Sequence, residues 1–334
     1  MTSPASSRPA DIAAFHAGLT VIDGLEYSNW DRALFEELRA GGVTAVHATA
    51  VYWEDARQTL ALLADWNRRF REHADLIRPA RSGEDIRAAK REGRIAFLLG
   101  AQNCTPIEQD LGLVEIFRSL GLMVMQLTYN NQSPLGGGCY EEVDSGLTRF
   151  GREALAEMNR VGMIADLSHS GEKTTLDAIA RSSRPVCISH ANPLSFHDHP
   201  RNKSDRVLKA LAESGGMLGL SLYPLHIGGA ERRMEDFTAM VARTAELMGV
   251  GHIGIGTDSV RNWPDSVLEW MRSGRWTWRA GKPSWPEWPN WFRTPADFPS
   301  LTAALLARGF SREDVARIMG GNWLDFFDEG FRPA

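Results

Sequence analysis

Cysteine is scarce in this chain. Its 334 residues include three, Cys104, Cys139 and Cys187, in unrelated contexts and with no CxxC spacing. That excludes a disulfide framework and a zinc ribbon, and suits a reducing compartment. Long apolar runs are also missing, so no segment approaches the length of a membrane span. The first residues, MTSPASSRPADIAAFHAG, contain no hydrophobic stretch of the kind a secretory signal needs. A formal net charge of −5 leaves no basic footprint, which argues against nucleic acid as a partner. No Gly-rich dinucleotide fingerprint follows any strand-like run, and there is neither an internal repeat nor a low-complexity segment. These absences leave an ordinary globular chain, 43% apolar and 24% charged, with the expected location cytoplasmic and no membrane partner.

What is present is an alternation. Short apolar runs lie at 20–23, 43–51, 95–100, 122–129, 163–169, 185–190, 217–223 and 252–258. Between them come amphipathic stretches such as RQTLALLADWNRRFREH and REALAEMNRVG, several closed by glycine in the manner of a helix C-cap. Runs that are apolar throughout, rather than alternating, belong to a sheet covered on both faces. Eight of them with helices between predict an α/β fold, a (β/α)8 TIM-type barrel; an open doubly wound sheet is the competing arrangement. The expected organisation is a flexible leader over residues 1–12 and a single barrel domain over 13–334. Insertions follow the fourth run (130–146) and the eighth (259–299). The second carries Trp263, Trp270, Trp276, Trp278, Trp285, Trp288 and Trp291. Such aromatics pack a lid, form a subunit interface compatible with a homodimer, or line an aromatic pocket.

A barrel keeps its active site at the C-terminal ends of its strands. The fifth run ends in His169, the sixth in His190, the eighth in Asp258, and the third is followed by Gln102 and Asn103. A lone buried histidine is more often a satisfied core residue than a ligand. Two histidines and an aspartate on three strand tips form a candidate metal site, because zinc favours imidazole nitrogen and carboxylate oxygen.

The stretches VIDG, FGREALAEMNRVGMIADLSH, PVCISHANP, HPRNKSD, HIGIGTD and IMGGNWLDFF together resemble the membrane (renal) dipeptidases, peptidase family M19, metallopeptidases on a metallo-dependent hydrolase barrel. The resemblance implies that His169 and His190 hold one zinc of a binuclear pair. It implies that Asp258 ligates the other and serves as base, and that Arg201 grips a substrate carboxylate. Tyr129, Gln102 and Asn130 fall among the implied substrate-binding positions.

The departures bear on the chemistry. Where the family has His-x-Asp after Asp-Gly, this chain has Leu25, Glu26 and Tyr27. Where the family has a bridging glutamate it has Gln102, and Tyr129 replaces a histidine. Leu25 offers no lone pair, and Tyr27 ligates only if ionised, against a reference pKa near 10. Glu26 is expected to point away as a solvated or salt-bridged carboxylate. The binuclear site is therefore not expected to assemble. What remains is one zinc on His169 and His190 with Asp258 or Gln102, or a metal-free pocket in which the same residues do acid–base work.

A hydrolase of an amide or related C–N bond in a small carboxylate-bearing molecule is the first functional expectation. An enzyme acting on another small amino-acid derivative is the second, and a silent binding protein the third. Cys139 and Tyr140 are expected to line the pocket, with no adjacent base to make Cys139 a nucleophile.

Overall fold

The computed structural model describes residues 9–273 and 284–333. Ten strands, all in parallel pairs, form one sheet among the described residues: β1 Val21–Ser28, β2 Val43–Val51, β3 Ile77–Pro79, β4 Ile95–Ala101, β5 Leu122–Gln126, β6 Ile164–Asp166, β7 Cys187–Ala191, β8 Met217–Leu220, β9 Ile253–Ile255 and β10 Ser259–Arg261. Eight of them close in the order β1-β2-β4-β5-β6-β7-β8-β9, with Asp23 opposite Ile255 sealing the ring. This is the (β/α)8 barrel, and each expected apolar run contributes one of its strands.

Two strands were not anticipated. β3 pairs with β4 from Ile77 opposite Ile95, and β10 pairs with β1 from Glu26 opposite Ser259. β10 continues the line of β9 beyond a break. Between Asp23 and Glu26 the first strand advances three residues, whereas Ile255 to Ser259 is four, so one residue is extra. The break contains Asp258, at φ 56. A bulge of this kind re-aims a side chain at a barrel rim, and left-handed backbone is tolerated best by Asn, Asp and Gly.

The helices fall where the amphipathic stretches lie, for example Ala56–Glu72, Arg149–Val161 and Met234–Met248. Thr148 Oγ1 accepts from the Gly151 amide at 2.9 Å to open the second of these, and Gly162 at φ 69 ends it. The helix Pro9–Gly18 takes in residues 9–12 of the expected leader and is tied down by His16, whose ring meets Thr302 Oγ1 at 2.7 Å and the Gly41 carbonyl at 2.9 Å.

The core has two layers. The larger packs helices on the outside of the sheet; the smaller fills the barrel with Ile22, Leu98, Val124, Ile164 and Met217 and is stoppered by Trp323. Trp323 donates its indole N–H to the Ile255 carbonyl at 2.9 Å, and a Cβ on Gly254 would stand 2.5 Å from that nitrogen. Glycine is needed there for the indole to enter. With the N-terminal mouth plugged, the open end is the one carrying His169, His190 and Asp258. Among the described residues no helix is long and apolar enough to cross a membrane.

Candidate active site

The expected site residues converge. Gln102, Tyr129, Asn130, His169, Arg201 and Asp258 line one small cavity of about 70 Å³. His190 lies beneath it, fully buried, its Nε2 3.1 Å from Nε2 of His169.

Hydrogen bonds decide which nitrogen of each ring carries the proton. Nδ1–H of His169 donates to Asn130 Oδ1 at 2.6 Å. Ser189 gives its hydroxyl proton to Asp166 Oδ2 at 2.5 Å, so at 2.8 Å from His190 it must accept from Nδ1–H. Asp166 also accepts from the Ser168 hydroxyl at 2.6 Å and the Ser189 amide at 3.1 Å, which fixes the whole assembly. Both Nε2 atoms are thereby left with lone pairs that face one another, and neither has a hydrogen to give. Burial, and after it the Arg201 charge, holds both imidazoles well below the usual histidine range, so a proton does not relieve the contact.

A shared Lewis acid would relieve it: two zinc–nitrogen bonds of about 2.0–2.1 Å at a tetrahedral angle put the nitrogens roughly 3.3 Å apart. The imidazole pair thus fits an ion as two of its ligands. No group of three or more His, Cys, Asp or Glu among the described residues is disposed to hold one.

Asp258 stands at the bulge, its amide donating to the Leu25 carbonyl at 3.0 Å and its Oδ2 4.0 Å from His226 Nδ1. Burial raises its carboxyl to about 7, against the opposing pull of Arg201. Arg201 is 3% exposed and donates to the backbone carbonyls of Ser168 and His190, the latter at 3.3 Å. It therefore braces the two strands that present the histidines. Gln102 gives Nε2 hydrogens to Thr49 Oγ1 at 2.8 Å and Tyr52 Oη at 2.7 Å, which leaves Oε1 as its offer to the cavity.

The positions where the sequence departs from His-x-Asp are packed with carbon. β1 does not end at Asp23; it runs on through Leu25, Glu26 and Tyr27, every residue buried. Leu25 is wholly inside, and the Tyr27 ring sits 4.5 Å from Tyr52 and 5.1 Å from a stacked Trp263. Tyr52 in turn meets Tyr129 at 4.9 Å, and Tyr129 lies 4.3 Å from the His169 ring. Burial pushes the Tyr27, Tyr52 and Tyr129 hydroxyls above their ordinary pKa, so they remain phenols.

Glu26 differs from expectation: it is 1% exposed, with Oε1 unpartnered, and neither solvated nor on the cavity. Burial and the neighbouring Asp23 carboxylate hold its pKa well above the usual range. Trp263, Trp270 and Trp285 pack on this aromatic cluster, Trp288 and Trp291 lie against the outer core, and Trp276 and Trp278 fall outside the described residues.

Sequence reasoning missed His226, Tyr52 and Tyr223, all on the cavity. Tyr52 and Tyr223 sit at or just after apolar runs, so the strand-tip argument applied to every run would have found them. His226 lies in a four-residue helix, Pro224–Ile227, and carried no such signal. Tyr140 lines the cavity as expected, but Cys139 lies in a neighbouring hollow beside Lys203, and burial raises its thiol pKa, against a nucleophilic role.

Residues 24–267 match the family model of the membrane dipeptidases, peptidase family M19. The chain belongs to the membrane dipeptidase family. A dipeptidase of Claviceps purpurea is 28% identical over 82% of this family member and 60% of its own length, and one of Aspergillus terreus is 30% identical over 82% and 67%. The chain thus spans about two thirds or less of these fungal relatives. Among solved structures, an amidohydrolase from Pseudomonas aeruginosa is 39% identical with a TM-score of 0.91, covering 96% of this family member and 99% of its own chain. A family M19 metallopeptidase described as dipeptidase AC shares the fold at 20% identity and a TM-score of 0.79, over 94% and 99% of the two chains.

Proposed function

We propose that this chain is a metal-dependent hydrolase that cleaves an amide or related C–N bond in a small carboxylate-bearing molecule. The facing lone pairs of His169 and His190 carry the reading, since two acceptors turned on one another with no hydrogen between them suit one positive ion. Family membership supports metal dependence; the aromatic filling around Leu25, Tyr27 and Tyr129 supports a single ion, for which zinc suits the imidazole donors. When bound, that ion would supply a Lewis acid and a water acidified toward neutrality.

The protein's own groups supply the rest. Asp258, with a pKa of about 7, can take a proton from water and return it to the departing nitrogen near neutral pH. Water oxygen bonds to the carbonyl carbon, the C–N bond breaks, and one acid and one amine leave. Arg201, on the lining of the same cavity, would supply the charge that a substrate carboxylate needs, while Tyr129, Asn130 and the Gln102 oxygen would border the reacting group. The three unpaired cysteines support a reducing, cytoplasmic setting.

The same filling favours a substrate other than an ordinary dipeptide. Elemental analysis of the purified chain tests the assignment. About one equivalent of metal is expected, lost in both His169→Ala and His190→Ala. Metal far below one equivalent, unchanged in the variants, refutes it. Hydrolysis of a panel of dipeptides and N-acyl amino acids with added zinc tests the reaction.

A further inference from the structure

The cavity at the histidines holds about 70 Å³, little more than the atoms of a reacting amide. On the far side of Tyr129 lies a cleft of about 600 Å³, within the size range of small-molecule sites. Tyr129 borders both. One side of its ring faces His169 at 4.3 Å; Trp53, in the cleft, meets it edge-on at 5.4 Å. A chain passing the edge of this ring would join the reacting centre to the cleft.

The cleft joins an apolar floor to a polar, more exposed rim of Thr105, Gln109, Asn131, Gln132 and Ser133. Its buried floor is Trp53, Asn103, Cys104 and Tyr129, aromatic and apolar except for Asn103, whose Oδ1 accepts from the Cys104 amide at 2.9 Å. The lining has one carboxylate, Glu108, at the exposed rim, with Oε1 turned to the Ala56 amide at 3.2 Å. A charged group carried onto this floor, such as an ammonium at the far end of the acyl chain, would lose its water without gaining a counter-charge, an outcome that proteins avoid. An apolar group loses nothing there. The walls are also held in place: Trp53 donates its indole N–H to the Met271 carbonyl at 3.1 Å, and the Asn131 amide donates to the Tyr129 carbonyl at 2.6 Å.

We infer that the substrate is an N-acyl amino acid whose apolar acyl group occupies the cleft beyond Tyr129. This rests on the hydrolase reading for its scissile bond: the acyl carbonyl lies at the histidine pair, the amino-acid carboxylate toward Arg201, and hydrolysis releases a fatty or aryl acid and a free amino acid. Tyr129 is then the residue that divides reacting centre from specificity pocket.

The test is a series of N-acyl alanines from acetyl to decanoyl, with N-(6-aminohexanoyl)alanine as charged counterpart and Ala-Ala as dipeptide. Both kcat/KM on the full chain and calorimetric Kd on the chelator-treated chain are measured. Each added methylene is expected to improve both by about fourfold until the cleft fills, as burying a CH2 contributes about 0.8 kcal/mol. The aminohexanoyl compound and Ala-Ala should fall far below hexanoyl. Gln109→Trp, which narrows the exposed rim, should stop the gain at shorter chains.

A flat length series, no binding by any member, or a dipeptide as good as hexanoyl overturns the inference. Length-dependent binding without turnover of any compound would sink the hydrolase reading and keep the subsite. Turnover of short substrates without length dependence would do the reverse.

Discussion

Asp258→Asn separates the electrostatics of this site from its packing. The Asp258 carboxyl is raised from 3.8 to about 7 in the fold, chiefly by burial. The sign follows from proton counting. Between pH 3.8 and 7 the folded chain binds one proton more than the unfolded chain, so stability falls as pH rises through that window and is level above it. At 1.36 kcal/mol per unit, the full window corresponds to about 4 kcal/mol of lost stability at pH 8. Asparagine is neutral throughout, tolerates the φ of 56 at this bulge, and keeps the amide that donates to Leu25. The variant should therefore match the parent near pH 4 and be more stable at pH 8 by up to about 4 kcal/mol. Taking an unfolding entropy of about 2.1 cal/mol/K per residue over this chain, that is roughly 6 °C in Tm. Thermal melts of chelator-treated parent and variant at pH 4 and pH 8 measure it, and hydrolysis should be lost in the same variant. A variant destabilised at pH 8, or displaced equally at both pH values, would show that Asp258 is not a strained buried acid.

Arg201→Lys keeps the charge but cannot reach both the Ser168 and His190 carbonyls; stability in urea should drop by roughly 1–3 kcal/mol and metal content should fall with both histidines intact. Glu26→Gln removes a carboxyl held well above its ordinary pKa of 4.5 by burial and Asp23, so the variant should exceed the parent in stability above neutral pH, with the difference vanishing below pH 4.5. Trp323→Ala should destabilise the chain by about 3–5 kcal/mol in equilibrium unfolding, because it opens the barrel plug; a loss under 1 kcal/mol would mean that the inner layer is not closed by this side chain.

The barrel was legible because its signals are local and repeated: each apolar run makes a buried parallel strand, and each amphipathic stretch makes the helix that covers it. β3 and β10 escaped because neither lies in an apolar run, each carrying an arginine, whereas the equally short β6 and β9 sit inside longer apolar runs. Glu26 was misplaced for a more instructive reason. Asp-Gly reads as a strand end, but here Asp23 accepts from the Thr257 amide at 2.8 Å and its hydroxyl at 2.5 Å, pinning β1 to the chain beyond β9 and carrying the strand onward. A tertiary bond overrode a turn signal. His169, His190 and Asp258 could be picked out because they occupy strand tips. The function of Asn130 could not, since its bond to His169 joins loops 39 residues apart.

The replacements at the ends of β1, β4 and β5, together with Tyr52 beyond β2, make sense only as a group. Gln102 could not lie beside an intact second metal site without leaving two cations less well screened, and Tyr27 could not enter a space that still held ligands. With Leu25 buried, the ring of Tyr27 moves against Tyr52, Tyr52 accepts the Gln102 amide at 2.7 Å, and Tyr129 closes over His169. Each aromatic side chain fills volume that the next one needs filled. On the proposed single-ion reading, half of the ligand sphere is replaced by pocket wall, and that same wall, ending in Tyr129 and Trp53, bounds the cleft where the acyl group is proposed to bind.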